Sequence, residues 1–223
     1  MNLAIMYSGG KDSNLATLFA KNLGYEISCL ISIISKNPDS FMFHTPSISK
    51  VESQAKAMQV PLILKETKGE KEIELNDLKE AIKIAIKKYN IKGIVTGTVE
   101  SVYQSSRIQK ICNELDIECF NPLWQKNQLS ILKDLIKYKF ESCIVGVAAF
   151  PLDKKFLGRK IDNDFIKEME DLQMNYKINI AGEGGEYESF VLNCPLFKKR
   201  LEIKKFVDFF DGENSCRREI ELK

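Results

Sequence analysis

The sequence predicts an α/β fold: a parallel sheet with helices on both faces, followed by a smaller C-terminal α+β portion. Three observations lead to it. Short apolar runs without polar alternation recur along the first two thirds of the chain, as strands buried on both faces should. Between them lie segments whose apolar residues repeat every three or four positions, and that alternation implies βαβ units. Near residue 150 the texture changes to one helix, a loop rich in glycine and glutamate, and then strands alone.

The elements follow in order. Leu3 to Tyr7 reads as the first buried strand. Asn14 to Leu23 reads as a helix, with Leu15, Leu18 and Phe19 on one face and Gly24 as its stop. Ile27 to Ile34 is a second strand, Ser47 to Met58 a second helix, and Pro61 to Leu64 a short third strand. From Glu72 to Tyr89 the residues Leu75, Leu78, Ile82, Ile86 and Tyr89 keep a helical period. "IKGIVTG" is a strand ending in glycine, and Val102 to Leu115 is a helix. "IECFNPLW" is a short strand with a bend, Leu129 to Tyr138 a helix, and "SCIVGVAAF" a strand. The C-terminal portion holds a helix from Asp162 to Gln173, then strands at Ser189 to Leu192, Leu201 to Phe209 and Arg217 to Leu222. No internal repeat or low-complexity linker separates the two portions.

Composition narrows the class. The chain has 223 residues, 44% of them apolar, enough for a substantial core. Its 33 basic and 31 acidic residues leave a net charge of +2, which does not favour a nucleic-acid coat or a membrane-surface protein. Basic runs such as "FKKRLEIKKF" read as solvated strand faces. The six cysteines include no C-x-x-C pair, so they read as reduced thiols of a cytoplasmic protein. No leader precedes the first strand, and no apolar run approaches the ~20 residues that cross a bilayer.

The most informative stretch is "SGGKDS", Ser8 to Ser13, at the junction of the first strand and first helix. In a parallel α/β sheet, ligands bind beyond the carboxyl ends of the strands. A helix amino terminus there offers unpaired N–H groups and the positive end of its dipole, which suits phosphate. Gly9 and Gly10 let the backbone approach oxygens, Ser8 and Ser13 can donate hydroxyl hydrogen bonds, and Lys11 supplies a mobile charge. Asp12 does not suit an anion site unless a Mg²⁺ ion intervenes or it caps the helix. A capped glycine turn is the structural alternative, but it requires fewer polar residues. The stretch is not the G-x-x-x-x-G-K-[ST] phosphate loop of motor ATPases and kinases.

"SGGKDS" does resemble the PP-loop of ATP pyrophosphatases, a Rossmann-like fold of the adenine nucleotide alpha hydrolase type. With "FMFHTP", "GTVESVYQSSR", "FNPLW", "PLDKKFLGR" and "GEGGEYESFVLNCPLF", the chain resembles the diphthine–ammonia ligase family from Met1 to about Phe197. The resemblance implies that ATP adenylates the carboxylate of diphthine, a modified histidine on translation elongation factor 2. Ammonia then displaces AMP to give diphthamide. It implies an ATP-binding domain over residues 1–140 and a smaller substrate-binding portion over 141–223. Ammonia and the diphthine-bearing factor are the expected partners, with neither membrane nor nucleic acid, and a homodimer is left open.

The resemblance also gives the remaining candidates their roles. Gly97 ends the fourth strand, where its N–H can meet a phosphate or merely form a turn. Tyr103, Gln104 and Arg107 begin the next helix; Gln104 and Arg107 are three apart and can share a face, and Arg107 can hold a carboxylate or adenylate. Spacing alone favours an exposed helix face, and the resemblance reverses that order.

In the acidic stretch Glu183, Gly184, Gly185, Glu186, Tyr187 and Glu188, like charges need an offset. Mg²⁺, a substrate cation or a basic partner would supply it; a solvated loop is the alternative. Tyr187 or Trp124 can meet the trimethylammonium of diphthine by cation–π attraction, and one glutamate can serve as general base.

Arg159 and Lys155 are candidates for adenylate or product contacts, or belong to a surface loop. His44, the only histidine, is either structural or a nucleotide contact.

The rival readings are a tRNA-modifying PP-loop enzyme, an amide ligase for another carboxylate, and a nucleotide-sensing regulator. The first lacks a basic excess, and Cys112 and Cys119 do not read as a thiolation pair.

Overall fold

Five parallel strands hydrogen-bond in the order Leu62–Thr67, Glu26–Ser35, Asn2–Met6, Gly93–Val95, Glu118–Phe120, and four antiparallel strands form a second sheet in the order Tyr187–Asn193, Glu141–Val147, Cys216–Leu222, Ile203–Phe210. The computed structural model describes residues 1–35, 50–68 and 73–223. The first sheet comprises β1 (Asn2–Met6), β2 (Glu26–Ser35), β3 (Leu62–Thr67), β4 (Gly93–Val95) and β5 (Glu118–Phe120). Its helices are α1 (Lys11–Asn22), α2 (Val51–Met58), α3 (Ile73–Tyr89), α4 (Val102–Glu114) and α5 (Gln128–Lys137). The second sheet contains β6 (Glu141–Val147), β7 (Tyr187–Asn193), β8 (Ile203–Phe210) and β9 (Cys216–Leu222), with α6 (Asn163–Tyr176) between β6 and β7.

Both faces of the first sheet are covered, as its apolar strands require. Side chains alternate along a strand, so Leu3 and Ile5 of β1 enter one core while Ala4 enters the other. The larger core joins α1, α2 and α5 to α6, β6 and β7. The second holds α3 and α4 against the opposite face. A single core thus fuses the two sheets, and the α/β class with its α+β appendage is the one the sequence predicts.

Boundaries differ where local chemistry overrides periodicity. α1 begins at Lys11, three residues before the expected Asn14, because Gly10 takes the extended capping conformation and its carbonyl accepts from both the amide and the side chain of Asn14. β3 continues to Thr67 because its pairing with β2 persists past Leu64. β6 ends at Val147, before "AAF". α6 extends to Tyr176 and stops where Lys177 turns to φ +61°. β7 begins at Tyr187, so Tyr187 and Glu188 belong to a strand, not the acidic loop. The first residues of the helix expected from Ser47, and Glu72 at the start of the next, lie outside the described residues, as does His44. Among the described residues no helix is long and apolar enough to cross a membrane.

Candidate active site

The strand order reverses between β1 and β4: α1, which follows β1, packs on one face, and α4, which follows β4, on the other. That reversal opens a crevice at the carboxyl ends of the two strands. A cavity of about 740 Å³ lies there. Ser8, Gly10, Lys11, Asp12 and Ser13 form one wall, and Thr96, Gly97, Thr98, Tyr103 and Gln104 another. Gly182 to Gly185 and Tyr187 to Ser189 close it from the second sheet.

The loop between β1 and α1 is held by hydrogen bonds on both sides. Gly9 has φ +81°, a conformation that a side chain would strain, and a Cβ there would collide with Gln54 Oε1. The Ser8 hydroxyl donates to Ser13 Oγ at 3.2 Å, and Ser13 Oγ donates to the Gly10 carbonyl at 3.2 Å. Asn14, fully buried, accepts from the Tyr7 hydroxyl at 3.0 Å and donates to the Gly10 carbonyl at 2.9 Å. The Lys11 amide donates to Ser189 Oγ at 3.1 Å, so β7 supplies the partner that Gly10, lacking a side chain, cannot. Gly97 packs directly on the first turn of α1: a Cβ there would lie 2.7 Å from the Ser13 nitrogen. Glycine at 97 is therefore a close-packing requirement.

The charges converge on Lys11. Its side chain is only 3% exposed, which corrects the expectation of a mobile charge. Nζ lies 2.7 Å from Asp12 Oδ2 and 5.3 Å from the centre of the Tyr187 ring. Burial opposes the ammonium charge, but Asp12, then Tyr187 and Glu183, outweigh it and hold Lys11 above its ordinary range. Burial, reinforced by Asp12 and opposed by Lys11, pushes the Glu183 carboxyl up to about 7. Burial, opposed by Lys11, likewise pushes Glu188 up to about 7. Burial also keeps the Tyr187 hydroxyl protonated, and it donates to the Ile180 carbonyl at 2.9 Å. Asp12 Oδ1 is enclosed at the cavity wall without a hydrogen-bond partner among the described residues.

Several sequence-derived candidates stand apart. Gly9 supports the loop from behind and does not line the cavity. The Arg107 guanidinium lies 3.5 Å over the ring of Tyr103, which lines the cavity where Arg107 does not. Arg159 is not brought to the cavity: its guanidinium meets Glu168 of α6 at 2.8 Å. Glu186 also stays outside it, because its carboxylate accepts from the amides of Asn179 at 3.1 Å and Gly184 at 2.8 Å and fixes the turn between them. Trp124 does not line the cavity either. Cys112 and Cys119 perturb one another, the Cys112 thiol upward and the Cys119 thiol downward, but neither lines the cavity. Conversely, Asn14, Gln54, Thr96, Thr98 and Ser189 escaped the sequence reading; a buried polar residue carries no periodic signal, and the partners of Gln54 and Ser189 are distant in the chain.

Comparison with known proteins decides the family. Residues 1–119 match the diphthamide synthase N-terminal domain, and residues 127–221 match the diphthamide synthase C-terminal domain. The chain belongs to the diphthamide synthase family. A diphthine–ammonia ligase of Homo sapiens is 33% identical to this diphthamide synthase family member over 226 residues, covering 91% of the chain and 83% of the human protein. One from Schizosaccharomyces pombe is 30% identical over 235 residues, covering 96% of the chain and 38% of the yeast protein. Among solved structures, a Methanocaldococcus jannaschii protein described as a predicted subunit of tRNA methyltransferase is 19% identical, with TM-score 0.48, covering 90% of this chain and 100% of that one.

Proposed function

We propose that the protein is an ATP-dependent diphthine–ammonia ligase that converts diphthine on elongation factor 2 to diphthamide. The observation that carries the reading is the cavity at the strand-order reversal, where a glycine–serine loop and a helix amino terminus face glutamates from a second sheet. Family membership supplies the reaction class.

In the first step a diphthine carboxylate oxygen attacks the α-phosphorus of ATP, and pyrophosphate leaves. Ser8, Gly10, Ser13 and the first turn of α1 hold the triphosphate, and Lys11 offsets the charge that develops on it. The Gly97 backbone stands at the α-phosphate, while Gln104 and the Tyr103–Arg107 pair border the adenylate. In the second step ammonia attacks the acyl carbon and AMP leaves. Glu183, poised near neutrality, takes the surplus proton from the attacking nitrogen. Glu188 and the Tyr187 ring favour the trimethylammonium of the substrate. Glu186 acts indirectly by fixing the loop that carries Glu183.

Mg²⁺ fits this site through Asp12, whose enclosed Oδ1 has no partner among the described residues. Among the described residues no His, Cys, Asp and Glu cluster could hold a metal alone, so the ion would share phosphate oxygens with Asp12. When bound it would neutralise phosphate charge. Residues 1–140 act as the nucleotide domain and 141–223 as the substrate portion, with both bordering the cavity. The cytoplasm is the proposed location.

Heavy oxygen placed in the diphthine carboxylate tests the pathway. Adenylation transfers one labelled oxygen to AMP. Label found in pyrophosphate or free phosphate instead contradicts it.

A further inference from the structure

We infer that Gln54 is a positioning residue for the reaction: from α2 it locks the phosphate-facing loop onto β7 and so sets the geometry of the triphosphate site. The inference rests on the proposed function for its ligand, but the clamp itself is visible without one.

Gln54 is completely buried, and its amide nitrogen faces two backbone carbonyls that sequence places far apart. Nε2 donates to the Gly9 carbonyl at 2.9 Å and to the Val191 carbonyl at 2.8 Å. Two acceptors at that distance fix which end of the amide is nitrogen, because an oxygen there would face two other oxygens. The Val191 amide completes the junction by donating to the Gly9 carbonyl at 3.2 Å. One carbonyl of the loop is thus gripped by both α2 and β7. Two residues along each strand of this junction, the Lys11 amide meets Ser189 Oγ at 3.1 Å.

The chemistry at stake is that of a rigid cradle. Gly9 lies at positive φ, so the loop depends on outside contacts to keep one conformation. Gln54 Oε1 packs against the Gly9 backbone where no Cβ would fit. Gly10, Lys11 and Ser13, which line the cavity, follow directly from that anchor. Gln54 does not line the cavity and touches no proposed ligand position. It acts through Gly9 and Val191 on the donors that meet phosphate, as a preorganised site requires.

The test replaces Gln54 with methionine, which keeps length and volume but removes both donors. In Gln54→Met, the KM for ATP should rise at least about tenfold, the order expected from two lost buried hydrogen bonds. The KM for ammonium should stay within about twofold, since Glu183, the proposed proton acceptor, sits on a loop whose hydrogen bonds do not involve Gln54. Equal rises in both constants, or an unchanged KM for ATP in a folded variant, overturn the assignment.

Hydrogen exchange on the nucleotide-free wild-type protein tests the clamp without a variant. The Lys11 and Val191 amides should be protected as strongly as those of β1. Free exchange at these two amides overturns the clamp whether or not Gln54→Met folds. Failure of the wild-type protein to bind ATP would instead count against the proposed function, with exchange still deciding the clamp.

Discussion

Lys11 Nζ lies 2.7 Å from the carboxylate of Asp12, the next residue in the chain, at the amino terminus of α1. The pair is buried on the lysine side, and its surroundings include two more carboxyl groups, Glu183 and Glu188, whose protonation it biases. A cation so enclosed serves both the fold and the chemistry, which shapes how it must be tested.

Lys11→Met preserves the buried stem while deleting the charge. AMP formation should fall roughly 100- to 1,000-fold, as when one stabilising donor is taken from a developing anion. Circular dichroism should report a folded protein. A folded variant with wild-type AMP formation would remove Lys11 from the mechanism.

Stability should depend on pH through Glu183 and Glu188. Both carboxyls are raised from 4.5 to about 7 in the folded chain, so between those values the native state holds protons that the unfolded state has released. Their contribution is full below the unfolded value and is lost as pH rises through about 7. The nucleotide-free melting temperature should therefore drop by several degrees between about pH 5 and about pH 8. Calorimetry of Glu183→Gln should show a shallower slope than wild type; the same slope would mean that Glu183 titrates normally.

Glu183 and Glu186 should separate in their effects. Glu183→Gln should slow amide formation while leaving ATP binding intact, and should remove a rate inflection near pH 7 measured at constant free ammonia. Glu186→Gln should cost on the order of 1 kcal/mol of stability, because it weakens the carboxylate's grip on the Asn179 and Gly184 amides. Its amidation rate should fall less than that of Glu183→Gln. The reverse order would assign the base to Glu186 instead.

Gly97→Ala tests the packing of the segment after β4 against α1. The added methyl would press on the Ser13 amide and the Asp12 backbone, at a cost of roughly 1–3 kcal/mol. Chemical denaturation measures it. Wild-type stability would show that α1 can shift to make room.

Much of this architecture is written in local sequence. β1 is legible because Leu3 to Tyr7 is apolar without alternation, and the loop after it because glycines and serines crowd a strand–helix junction. The convergence of Lys11, Gly97, Tyr103 and Glu183 was accessible through the strand–helix alternation and the family resemblance together. What escaped depends on contacts between distant segments. Gln54 reads as an ordinary polar residue of α2, yet it joins Gly9 to Val191. Ser189 reads as the start of a strand, yet it serves the first amide of α1. Glu186 looks equivalent to Glu183 until the fold of the loop turns its carboxylate onto backbone amides. Arg159 likewise reads as a free cation until α6 brings Glu168 beside it.

The most direct measurement combines purified protein with ATP, Mg²⁺, ammonium and diphthine-bearing elongation factor 2. AMP and the intact mass of the factor are followed together. One AMP should appear for each factor molecule that exchanges a hydroxyl for an amino group, and neither change should occur when diphthine is absent. AMP released without any change in the factor's mass would contradict amidation of diphthine.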